Sequence, residues 1–145
     1  MELLPGTGAK DATALVRVFM EVIPHARALG MELVEAGPGV VEIAMPWNPE
    51  LVGDPRTGVL HGGVISALMD TCCGAAVMTH PDRPATTATI DLRIDYLRSA
   101  HSGQRVRTRA ECFHMTRSVA FVRAVARDEG DTPVATATGS FTVGG

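Results

Sequence analysis

The chain has 145 residues, 46% of them hydrophobic and 4% aromatic, with a formal net charge of -3, and this length is enough to bury a substantial core in one domain of ordinary size, 1–145. Slight acidity and few aromatic rings argue against nucleic acid as the main partner, because such binding relies on a basic surface and often on stacking platforms. The opening MELLPGTGAKDA lacks a basic stretch followed by an apolar one, so no secretory signal is expected.

After Asp11, Leu15, Val18, Phe19 and Val22 recur at helical spacing, which predicts an amphipathic helix starting near Asp11. Pro24 breaks or kinks it and Gly30 terminates this N-terminal helical segment, 1–30. MELVEA (31–36) and VVEIAMP (40–46) are short and β-rich, and Gly37-Pro38-Gly39 joins them as a hairpin. Residues 47–60 are rich in Pro, Gly, Asn and Asp and read as a loop. At about 62–79 comes a long apolar helix. Its hydropathy prompts a membrane check, but Asp70, His61, the glycines and small polar residues favour a buried soluble helix. Strands follow at 86–97, 103–113, 118–127 and 133–143, with Ile90, Leu92, Ile94 and Tyr96 on one face of the first and Asp91, Arg93 and Asp95 on the other.

One long helix against an antiparallel sheet is an α+β arrangement. The helix has no evident polar face, so a sheet of about six strands has to curl around it, with a second subunit helping to cover it. Cys72, Cys73 and Cys112 have neither a disulfide framework nor a zinc-ligand spacing. They read as small buried hydrophobes, and a reducing cytoplasm is the expected location.

The chemistry concentrates in HGGVISALMD (61–70). Asp70 is the only formally charged side chain between Arg56 and Asp82, in a run expected to be buried, where a carboxylate needs solvation, hydrogen bonds or neutralisation. His61-Gly62-Gly63 opens the same helix, where unpaired N–H groups suit developing negative charge. Eight helical residues rise about 12 Å, so Gly62 and Asp70 of one chain cannot act on one carbonyl. Two antiparallel copies of the helix would bring them together across a two-fold axis, making two equivalent sites. A working site therefore requires a dimer.

HGGVISALMD, preceded by GDPRTGVL and followed by TATIDLRIDYLRSA, resembles the hotdog-fold acyl-CoA thioesterases of the phenylacetate-degradation group over about residues 40–143. The resemblance implies a sheet wrapped around the central helix, a homodimer often paired into a tetramer, hydrolysis of acyl-CoA to free acid and CoA, and no metal or cofactor. It makes Gly62 the backbone donor to the thioester carbonyl, with His61 and Gly63 shaping that site. It makes Asp70 the nucleophile or general base and Thr89 the hydroxyl that helps to place it. Relatives have an Asn six residues before the His. Here that position is Pro55, with Asp54 beside it as a substitute that needs one residue of loop slack, and Asn48 lies too far upstream.

Other readings stay open. His-Gly-Gly also suits a tight turn entering a helix, and Thr89 shares the parity of Asp91, Arg93 and Asp95, which suggests an interface or solvent position. Eight arginines lie between Arg93 and Arg127. Arg98, Arg117 and Ser118 are candidates for holding CoA phosphates, against a plain role on solvated strands. A non-catalytic acyl-CoA-binding or ligand-sensing module is the alternative function, and a hydratase using Asp70 and His80 ranks after it. Gly74, Ala75 and Ala76 leave room for an acyl group, and Met69, Met78 and Met115 either line its tunnel or fill the core.

Overall fold

The computed structural model describes residues 9–145, so the first eight residues of the expected N-terminal segment lie outside the described residues. Helix α1 (Ala9–Val22) has Asp11 in its first turn, where a carboxylate complements the helix dipole. Its buried stripe is Ala12, Leu15, Val16, Phe19 and Met20, while Val18 and Val22 are exposed. The core-facing arc is thus rotated slightly from the expected one, with Val16 and Met20 in place of the two valines. The chain becomes extended at Ile23, and α2 (Pro24–Ala28) starts on the proline. Gly30 then adopts φ +70° and ends the segment.

Strands β1 (Glu32–Gly37) and β2 (Val40–Met45) form the expected hairpin. Residues 47–60 are more structured than a loop: a 3-10 turn at Pro49–Leu51 leads to a small hairpin of β3 (Val52–Asp54) and β4 (Val59–Leu60). Asp54 closes its tip by accepting the Arg56 backbone N–H at 3.0 Å, so the turn residues that suggested a loop bring two short apolar segments together. Helix α3 (Gly62–Thr79) follows, then β5 (Thr89–Tyr96), β6 (Val106–Met115), β7 (Val119–Arg127) and β8 (Ala135–Thr142).

The main sheet has six strands in the order β1-β2-β6-β7-β8-β5, every neighbouring pair antiparallel. Its helix-facing floor is made of small side chains, among them Ala110, Val122, Ala124, Ala126 and Ala137, which lets α3 lie close. The length and hydropathy of α3 would suit a membrane span, yet here it packs chiefly on β6, β2 and β7 and less on β5 and β8, with α1 against it. Burial is uneven along α3. Cys72 to Thr79 are all buried, whereas Gly62, Gly63, Ser66, Ala67, Asp70 and Thr71 remain partly or fully exposed. The helix therefore has an open stripe of small and polar residues, spaced four apart, that its average hydropathy conceals.

Candidate active site

The start of α3 is organised by His61. This residue is the N-cap, with extended backbone (φ -61°, ψ 136°). Its Nδ1 accepts the Gly63 N–H at 2.8 Å and its carbonyl accepts the Val64 N–H at 3.1 Å, which places the proton of the neutral ring on Nε2. The His61 N–H donates to the Leu51 carbonyl at 2.9 Å. The small hairpin braces the cap closely, since a Cβ on Gly53 would stand 2.8 Å from the His61 Cα. Among the described residues the Gly62 N–H makes no hydrogen bond, and it remains the free donor at the positive end of the helix. The Gly63 N–H, by contrast, is already engaged.

Two residues that the sequence reading passed over complete this end. Tyr96 lays its ring against Gly62, 3.4 Å from where a Cβ would be. Its hydroxyl donates to the Gly62 carbonyl at 3.0 Å and also contacts the Ser66 Oγ. Ser66 stands midway between Gly62 and Asp70 on the open stripe, and that spacing was its signal.

Asp70 is half-buried rather than enclosed in the core, because it lies on the open stripe. Its Oδ1 accepts the Thr89 Oγ1–H at 2.7 Å. Strand parity had placed Thr89 on the face of Asp91, Arg93 and Asp95. A β-bulge at Ile90 reverses this: Thr89 lies opposite Phe141 while Asp91 lies opposite Ser140, so one extra residue turns Thr89 toward the helix. Gly139 permits the close crossing, since a Cβ there would overlap the Asp91 carbonyl oxygen. Outside, the Ser140 hydroxyl donates to the Asp91 carboxylate.

A groove of about 480 Å3 runs between α3 and β5, with Asp70 and Thr89 on its wall beside Ser66, Leu92, Ile94 and His25. His25, from α2, carried no sequence signal because only the fold of the N-terminal segment brings it there. The cysteines are closed off from this chemistry. Burial pushes the Cys73 thiol up to about 12 and that of Cys112 to about 11. Cys72, also raised well above its ordinary value by burial, shares its S–H between the Val41 and Thr108 carbonyls. Among the described residues no three His, Cys, Asp or Glu side chains gather as a metal site.

The remaining candidates lie elsewhere. The Arg56 guanidinium and backbone N–H hold the Asp54 carboxyl below its ordinary value, and that carboxylate is turned onto Arg56 rather than toward Asp70. Asn48 caps the short 3-10 turn by accepting the Glu50 N–H. Arg98 is not free for a phosphate, because its guanidinium makes two hydrogen bonds to the buried Asp128 (2.8 and 3.0 Å) and further ones to the Thr132 and Ser99 carbonyls. Arg117 and Ser118 sit in the exposed β6–β7 turn, away from the groove.

A family model described as the thioesterase superfamily matches residues 57–135. The chain belongs to the thioesterase superfamily. It is 32% identical over 150 residues to the medium/long-chain acyl-CoA thioesterase YigI of Escherichia coli strain K12, covering 94% of this chain and 96% of that one. The structure of the E. coli PaaI protein, from the phenylacetic acid degradation operon, superposes with a TM-score of 0.85 at 19% identity, covering 94% and 96% of the two chains. A mutant of the phenylacetic acid degradation protein PaaI from Thermus thermophilus gives 0.73 at 29% identity, covering 83% and 98%. The fold is the hotdog fold that the HGG…Asp motif suggested, and the protein is a PaaI-like thioester hydrolase.

Proposed function

We propose that the protein hydrolyses acyl-CoA thioesters in the cytoplasm as a homodimer, each site combining Gly62 of one subunit with Asp70 of the other and using no metal or cofactor. The observation that carries this reading is the pair of poised but separated groups: an unpaired Gly62 N–H at the helix start and a Thr89-bound carboxylate eight residues on. About 12 Å of helix rise separates them within a chain, so a second copy has to complete the site. Two features of this chain suit that copy. The open stripe of α3 is built of small side chains that allow two helices to approach, and β5 is an eight-residue edge strand with Ile90 exposed on it and Leu97 exposed just past its end. Pairing two such dimers would give the tetramer common among relatives.

In this mechanism the Gly62 N–H and helix dipole stabilise the oxyanion, while Asp70 attacks the carbonyl or deprotonates the water that does. Collapse of the tetrahedral intermediate expels the CoA thiolate, leaving the free acid when water has attacked, or an acyl-Asp70 anhydride that a second step with water hydrolyses to the acid. Single turnover in labelled water tests the acyl-enzyme route, since label enters the Asp70 carboxylate only when water opens an Asp70 anhydride at the aspartyl carbon. Arg117 and Ser118 remain surface candidates for the CoA phosphates, whereas Asp54 and Arg98 are already engaged.

Thiol release from a panel of aliphatic and aromatic acyl-CoAs tests the activity, and two variants test the site. Asp70→Asn should lower kcat by at least about a hundredfold. Gly62→Pro deletes one N–H with little disturbance, since proline suits the first helical position and His61 already has the extended backbone that a following proline requires. It should lower kcat by about 10²–10³-fold. Each variant alone should be nearly inactive, while equal mixtures allowed to exchange subunits should regain roughly a quarter of wild-type activity, because half the dimers then hold one intact site of two. Full activity in Asp70→Asn would sink the mechanism, and mixtures without recovery would sink the shared site.

A further inference from the structure

The groove continues past Asp70. Toward the C-terminal half of α3 a second compartment of about 350 Å3 shares Asp70 and Thr89 with the first, and its far walls are Phe19, Ile23, Gly74 and Phe141. One end is therefore polar and the other is two aromatic rings and a branched aliphatic chain. Phe19 comes from α1 and Ile23 from the break before α2, so the N-terminal segment roofs this compartment.

Gly74 is the informative wall. Glycine inside a helix weakens it relative to alanine, so its presence needs a reason of conformation, packing or space. Conformation gives none, because Gly74 is an ordinary helical residue without positive φ. Packing gives none either: a Cβ would stand 3.5 Å from the Phe141 ring and 3.7 Å from that of Phe19, both ordinary contacts. What the missing methyl group does is keep open the gap between the two rings.

We propose that this compartment receives the acyl chain of the thioester whose carbonyl Asp70 serves, and that Gly74 sets how long a chain enters. The inference rests on the thioesterase reading and adds to it a direction and a length gauge. In the other direction the groove follows Gly63, Ser66 and Ala67 of α3, with Leu92 and Ile94 of β5 opposite. Each methylene group moved from water into the apolar end strengthens binding about fourfold.

The test is a series of saturated straight-chain acyl-CoAs from butanoyl to hexadecanoyl, with kcat/KM plotted against chain length. Wild-type values should climb and then level off where the compartment is full. Gly74→Ala should level off one or two carbons earlier, lowering the long-to-short ratio of kcat/KM by about four- to sixteenfold. Ile23→Phe, on a separate wall, should shorten the profile in the same sense. Alanine also favours the helix, so a thermal midpoint at or above wild type would show that the variant is folded. Superimposable profiles, or a proportional loss on all substrates in a folded variant, would overturn the inference and leave the thioesterase reading intact. A wild type active on aromatic acyl-CoAs but on none of the series would overturn the inference alone, and one inactive on both would overturn the thioesterase reading with it.

Discussion

In the proposed mechanism Thr89 acts through its one hydrogen bond to the Asp70 carboxylate. A bond to a charged acceptor is worth about 1.5–3 kcal/mol, so Thr89→Val should lower kcat tenfold or more with a smaller change in KM, and Thr89→Ser should recover most of it. A valine variant with wild-type kcat would show that Asp70 is placed by other means. Asp70 and Gly62 were legible because each breaks a local rule, a lone charge in an apolar run and a glycine pair at a helix start. The orientation of Thr89 was not legible. Counting along an alternating strand assumes that no residue is extra, and the bulge at Ile90 adds one. Tyr96 was assigned to the apolar face by the same counting, and nothing local announced that its hydroxyl would reach Gly62.

Among the elements, the connections around the sheet are tied by Asp128. This buried carboxylate accepts from Arg98, from the His101 backbone and ring, and from the Gly130 N–H, locking the β5–β6 connection to the β7–β8 turn. Chiefly through the Arg98 guanidinium, and despite burial, its carboxyl is held far below the usual carboxylate range. The depressed value means that the stabilisation is fully present above the unfolded value of about 3.9 and is lost as pH falls below it. Denaturation midpoints should hold steady from neutrality to about pH 5 and then drop. Asp128→Ala should flatten that acid limb and cost about 3 kcal/mol at neutral pH, read as a thermal midpoint roughly 6–12 °C lower. An unchanged acid limb would assign the sensitivity to other carboxylates. Strand and helix positions were readable from periodicity, whereas the Arg98–Asp128 pair joins residues thirty apart and has no local pattern. That is why Arg98 read as a free cation.

In the whole molecule the stripe of α3, the groove beside it and the β5 edge adjoin one another. Exposed apolar side chains on an edge strand invite pairing, and a charge placed there is the usual protection against it. Ile90→Lys together with Leu97→Lys should shift the mass in solution from the proposed dimer toward monomer and remove activity, with circular dichroism showing that the subunit stays folded. A fully active monomer would refute the shared site. The sheet curled around one long helix was legible from element order and from a helix without an evident polar face, and the hotdog family from the resemblance carried by HGGVISALMD and its flanks. The helix face left uncovered was not, because hydropathy averaged over α3 hides a stripe that only the four-residue spacing of Gly62, Ser66 and Asp70 reveals.

The bulge at Ile90 also separates two kinds of inheritance in this strand. Downstream, Leu92 and Ile94 keep their inward places through their own pairing with β8; upstream, the direction of Thr89 depends on the one supernumerary residue. Closing the bulge without removing a residue would carry Thr89 to the outer face with Asp91, whereas loss of Ile90 itself would set Thr89 beside Asp91 and keep it inward, opposite Phe141. The site therefore depends on where the strand is pleated and tolerates a shorter segment better than a flattened one.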